Sequence, residues 1–263
     1  MDWGYKAMLT TVTVALVLLV AQTMGRRLAG MLAGLPVITA PALLWIAAEQ
    51  GAAFAARSAV GSIAACGLMA VFALTYERLS RRFGAAISLA GSLAVGGLAA
   101  MPMALLAGHP VRAIVLTGTI CTLVVLLLPR ASAQAGQARR MRGEIALTAV
   151  AAGGISVLVS LCARELGPYW SGLLAALPII SATALVTQHL TASHAEIERF
   201  LRGYVAGLIG KAAFALAFAA VVVQVGGALA VAAALAIGVA VTAATTRGLH
   251  RLEERTAGRL AQA

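Results

Sequence analysis

Gly30-Met31-Leu32-Ala33-Gly34-Leu35-Pro36-Val37-Ile38-Thr39-Ala40-Pro41 returns, with small changes, as Gly172-Leu173-Leu174-Ala175-Ala176-Leu177-Pro178-Ile179-Ile180-Ser181-Ala182-Thr183. The offset is 142 residues, and it persists downstream without a gap. Arg57, Gly61, Phe72, Gly84 and Gly96 fall on Arg199, Gly203, Phe214, Gly226 and Gly238. Leu and Ala match by accident in any apolar chain, but paired Pro, Gly and Arg positions point to an internal duplication.

Around that repeat the composition is that of a bilayer protein. The chain is 61% hydrophobic and 11% charged, against a charged share of about 25% in soluble domains. Nine apolar stretches reach the roughly 17 to 25 residues that a helix needs to cross the hydrocarbon core. They run near Ala7 to Met24, Leu28 to Ala48, Ser58 to Tyr76, Phe83 to Ala107, Val111 to Leu128, Ile145 to Cys162, Tyr169 to Leu190, Gly203 to Val223 and Gly227 to Thr246. The runs are continuous rather than alternating, so the expected fold class is all-α, a polytopic helical membrane protein and not a barrel. The first stretch follows Lys6 in the manner of a signal peptide. Its match to the sixth stretch, and Arg26 and Arg27 after it, favour a span.

Basic residues set the expected orientation. With nine spans, one set of loops holds fifteen Arg residues and the opposite set holds Lys6, Arg57, Arg112 and Arg164. Positive loops stay in the cytoplasm, which places the N-terminus in the periplasm and the C-terminus in the cytoplasm of a bacterial inner membrane. Trp3, Tyr5, Trp45, Tyr169 and Trp170 then fall at outer span ends, where amphipathic rings suit the headgroup layer. The formal charge of +11 is absorbed by these loops. It calls for anionic lipid rather than nucleic acid as partner.

The organisation that follows is a repeat unit of four spans over 1–108, a linking span and cytoplasmic loop over 109–144, a second four-span unit over 145–246 and a cytoplasmic tail over 247–263. One unpaired span between two four-span units makes the second unit enter from the opposite face. The repeats are therefore expected to be inverted, an arrangement used by carriers that alternate between inward-open and outward-open shapes.

The candidate site is the repeated motif. Pro36 and Pro178 each remove a backbone donor and clash with the carbonyl four residues back. The freed backbone groups need a partner in hydrocarbon: the hydroxyls of Thr39, Ser181 and Thr183, or a polar cavity that holds a solute or ion. A hydroxyl-capped kink is the plainer reading of either proline alone. Gly30 with Gly34, Gly172 with Ala176 and Gly203 with Gly207 are small residues at helical spacing, which lets helices approach closely. Such faces also serve self-association, which leaves a homo-oligomer open.

Lys211 falls within the eighth stretch, where its repeat partner is Met69. A charge at the bilayer centre costs at least about 2.5 to 3.5 kcal/mol on insertion scales. The expected roles are binding an anionic group or carrying a coupling proton, with snorkelling to the inner interface as the alternative. Glu49 and His189, near span ends, are weaker candidates for gating or proton exchange. Cys66, Cys121 and Cys162 stand singly in apolar stretches and read as packing residues. No paired acids, metal-ligand cluster or activated nucleophile appears, so neither an enzyme nor a cofactor is expected.

The run from Gly30 to Pro41, followed by Glu49 and Arg57, resembles short bacterial inner-membrane proteins of unknown function about half this length. More loosely, it is similar to the GlpM family. In both, small residues lead into a Leu-Pro or Phe-Pro step and then a hydroxyl, here Leu35, Pro36 and Thr39, and again Leu177, Pro178 and Ser181. The resemblance implies four spans per unit and an integral membrane location. Through the link of GlpM members to alginate production, it also implies an envelope role. Two functions are thus expected in order: a transporter of a small solute, anions included, by alternating access, or a non-transporting scaffold for envelope polysaccharide biosynthesis.

Overall fold

The structure, a computed structural model, describes residues 3–22, 26–105, 109–129, 165–176, 178–191 and 193–260, with isolated positions between 150 and 162. All regular structure among them is helical. In chain order the helices are α1 (Trp3–Gln22), α2 (Arg26–Gly34), α3 (Thr39–Gln50), α4 (Ala52–Ser80), α5 (Ala85–Ala104), α6 (Pro110–Leu127), α7 (165–174), α8 (Ile179–Thr191), α9 (His194–Val225) and α10 (Gly227–Leu260).

Six described stretches are long and apolar enough to cross a membrane: Arg27–Gln50, counted across its break, Ala52–Ser80, Ala85–Ala104, Pro110–Leu127, His194–Val225 and Gly227–Leu249. The sixth expected span, Ile145 to Cys162, lies for the most part outside the described residues, as does the loop from Arg130 to Arg142.

Helix ends follow local chemistry. Pro110 opens α6 in its first turn, where the missing N–H has no intrahelical partner to lose. Ser193 and Glu196 form a reciprocal capping box at the start of α9, which satisfies two otherwise orphaned donors. Gly51 and Gly226 take positive φ of 87° and 79° at the α3–α4 and α9–α10 turns, a conformation that costs glycine little.

Two long helices, α4 and α9, form the centre. Most of the apolar length of each is buried inside the protein, whereas α5, α6 and α10 bury about a quarter of theirs. The outer helices turn Leu98, Leu126 and Leu229 outward, as lipid-facing helices do. Helices α4 and α9 run antiparallel. Glu77 and Arg81, at the end of α4, meet His194 and Glu198, at the start of α9.

Both central helices are crossed at backbone contact. Gly30 of α2 lies against the Phe200 carbonyl, and Gly203 of α9 lies against the Arg27 carbonyl. Gly34 and Gly207 meet a few residues further on, where a Cβ on either would lie 2.9 Å from the other's Cα. A second crossing joins α7 to α4: Gly172 lies against the Ser58 carbonyl, and Gly61 against that of Tyr169. Each contact of the second crossing is a contact of the first displaced by 142 positions, forward on one helix and back on the other.

Aromatic placement departs from expectation at two positions. Tyr5 and Trp170 are exposed, but Trp45 is 4% exposed and Tyr169 is 7% exposed. The Trp45 indole N–H donates to Thr10 Oγ1 at 3.5 Å, so α1 covers it. Close crossing at Gly61 holds Tyr169 inside.

Candidate functional site

The chain breaks its helices twice, at the repeated motif. Helix α2 ends at Gly34 and α3 begins at Thr39; α7 ends at 174 and α8 begins at Ile179. Each new helix starts by using a proline carbonyl: Ala40 N–H donates to Pro36 O at 2.8 Å, and Ala182 N–H donates to Pro178 O at 2.7 Å. The prolines therefore interrupt the helix outright rather than kink it. Pro41 is accommodated in the first turn of α3, where an N–H is dispensable.

The two breaks adjoin. Thr39 Oγ1 donates to Ala175 O at 3.2 Å, which carries the start of α3 to the end of α7. Ser62 Oγ of α4 donates to Gly172 O at 2.8 Å, and Ser181 Oγ returns to Pro178 O at 3.0 Å. The Thr39 and Ser62 hydroxyls thus satisfy carbonyls that the second interruption leaves open, as the absence of water requires.

Lys211 lies midway along α9 and is 6% exposed. Its Nζ donates to Ala176 O at 3.4 Å, so the side chain turns inward to the second break and does not snorkel to an interface. Among the described residues no carboxylate lies within ion-pair range of it. Lys211, Ser181, Pro178, Tyr204, Met69 and Leu35 surround a cavity of about 10 Å³, roughly the space that one water molecule occupies. The Tyr204 hydroxyl is buried there facing Ser181, without a well-formed hydrogen bond.

Of the expected site residues, Pro178, Ser181 and Lys211 come together. Pro36 and Thr39 shape the facing break without lining the cavity. Thr183 is half-buried on α8 and outside the lining. Glu49 is exposed at the far end of α3. His189 pairs with Tyr76, Nδ1 to Oη at 3.2 Å, with the rings edge to face. Neither Glu49 nor His189 reaches the cavity. Tyr204 carried no sequence signal, because an aromatic in an apolar span is normally core; its match at the 142-residue offset, Ser62, is polar too. Cys66 and Cys121 are buried free thiols, and Cys162 is half-buried.

A second polar cluster joins α4 to α9. Glu77 is fully buried and pairs with Arg78 and Arg81, and Arg81 also reaches Glu198. His194 lies 3.8 Å and 3.6 Å from the same two carboxylates. Arg81 already bridges the acids, so the cluster works as a clasp between the two central helices.

No family model, curated protein or solved structure matches this chain. Its functional reading rests on its own geometry.

Proposed function

We propose that this protein is a carrier of a small anionic solute. It would work by alternating access between two inverted four-span halves joined by a linking span, nine spans in all. The membrane is the bacterial inner membrane, with the N-terminus outside and the Arg-rich loops in the cytoplasm. The solute would bind where the two broken helices meet, on Lys211, Ser181 and the backbone around Pro36 and Pro178.

Two features support the inverted arrangement. Helices α4 and α9 match at the repeat offset yet run antiparallel, clasped at Glu77 and His194. The glycine crossings are also reciprocal: Gly30 with Phe200 and Gly172 with Ser58 are one contact seen from the two halves. Reciprocity of that kind belongs to a two-fold relation. With antiparallel spanning mates, the axis lies in the membrane plane.

The observation that carries transport is the meeting of the two broken helices beside a buried lysine. Thr39 of the first break donates to Ala175 O of the second, and Lys211 Nζ donates to Ala176 O, with no carboxylate in ion-pair range among the described residues. Broken helices and a cation within the span are the elements from which carriers build solute sites.

The test is uptake of radiolabelled small organic acids into proteoliposomes by the wild type and by Lys211→Met. Flux that the substitution abolishes in a folded protein supports the carrier. Absence of flux across the acids tested overturns it in favour of the scaffold.

A further inference from the structure

The cavity at Lys211 has a neighbour. Met69 and Pro178 form part of its wall and also line a cleft of about 130 Å³ between α4, α5 and α7, open on the side of α5 where Leu93 and Gly97 are exposed. The second space is apolar, with Phe72, Leu93 and Leu173 on its sides. Its hydroxyl, Ser92 Oγ, is already committed to Ser88 O at 2.6 Å. A dry apolar cavity of about 150 Å³ takes up one benzene ring.

The two spaces ask for different chemistry. On the polar side a buried lysine has one carbonyl contact and, among the described residues, no acid, and the buried tyrosine hydroxyl faces only Ser181 without a well-formed hydrogen bond. A buried cation is stable when an anion with good hydrogen bonds meets it. The start of α8, immediately after Pro178, adds a helix N-terminus that favours negative charge. On the apolar side nothing polar is on offer, and Met69, unbranched and adaptable, is the movable wall between them.

We infer that the solute is a small organic monocarboxylate bearing an apolar group of about ring size, aromatic or branched aliphatic. Its carboxylate pairs with Lys211 and accepts from Tyr204, while its apolar group passes Met69 into the cleft beside α5. A second negative charge would be left without a cation, which excludes dicarboxylates. This rests on the carrier reading and narrows it.

The test is calorimetric binding of benzoate, acetate, dodecanoate and benzyl alcohol to the purified full-length protein in detergent. The variants are Lys211→Met and Gly97→Leu. Gly97 lines the apolar cleft, and a Cβ there meets nothing within 4 Å, so the substitution fills the space without a clash. The expected result is benzoate at least tenfold tighter than acetate. Gly97→Leu should weaken benzoate at least tenfold and leave acetate within twofold. Lys211→Met should weaken both acids at least tenfold and spare benzyl alcohol. Equal binding of benzoate and acetate, or dodecanoate tighter than benzoate, overturns the ring-sized subsite. The carrier reading survives that result if acetate flux depends on Lys211. No binding and no flux of any acid overturns both.

Discussion

Met69 of α4 and Lys211 of α9 hold matching places in the two central helices and face the same cavity. At this matched pair one half carries a cation and the other an apolar side chain. Symmetry alone would have put two lysines or two methionines there. Two ammonium groups sharing one water-sized cavity would repel strongly in low dielectric, so a single lysine is the arrangement that admits charge at all.

Lys211→Met restores the symmetry and removes a buried cation without an acid partner. Methionine has similar length and no desolvation cost, so the variant should be more stable by about 1 to 3 kcal/mol. Thermal unfolding in detergent should show a raised Tm together with lost flux. A lowered Tm would mean that the lysine holds the second break together through Ala176, and its role would be structural.

The glycine crossings should divide sharply by neighbour. Gly30→Ala and Gly203→Ala each push a methyl into a facing backbone carbonyl, which cannot rotate aside. Overpacking costs about 1 to 3 kcal/mol where side chains can adjust, and here the upper end is expected. Gly97→Ala meets open space and should gain about 0.5 to 1 kcal/mol from helix preference alone. Denaturation midpoints of the three variants decide it.

Much of this was legible in the chain itself. The offset of 142 residues and the Leu-Pro step mark both helix breaks, and the spaced glycines mark faces of close approach; that the broken helices cross α9 and α4 is not in the pattern. What was not legible depended on neighbours. Tyr204 and Trp45 are ordinary apolar-span residues by type. That one lines a polar cavity and the other is covered by α1 follows from helix arrangement, which periodicity does not encode. Snorkelling of Lys211 was ruled out by α9 beginning at His194, about two and a half turns earlier than hydropathy placed it. Hydropathy leaves Glu198 and His194 outside the eighth stretch for the same reason. They are the first turns of a long helix, clasped to Glu77.

The proposed inversion has a direct topological consequence. Gly84 and Gly226 match at the repeat offset, yet antiparallel packing of α4 and α9 puts the turns they occupy at opposite ends of the molecule. In a background without Cys66, Cys121 and Cys162, Gly84→Cys should be shielded from membrane-impermeant maleimide in intact cells and Val225→Cys should be labelled. Labelling of both from the same side would mean that the halves are parallel, and alternating access by exchange of halves would be lost with them.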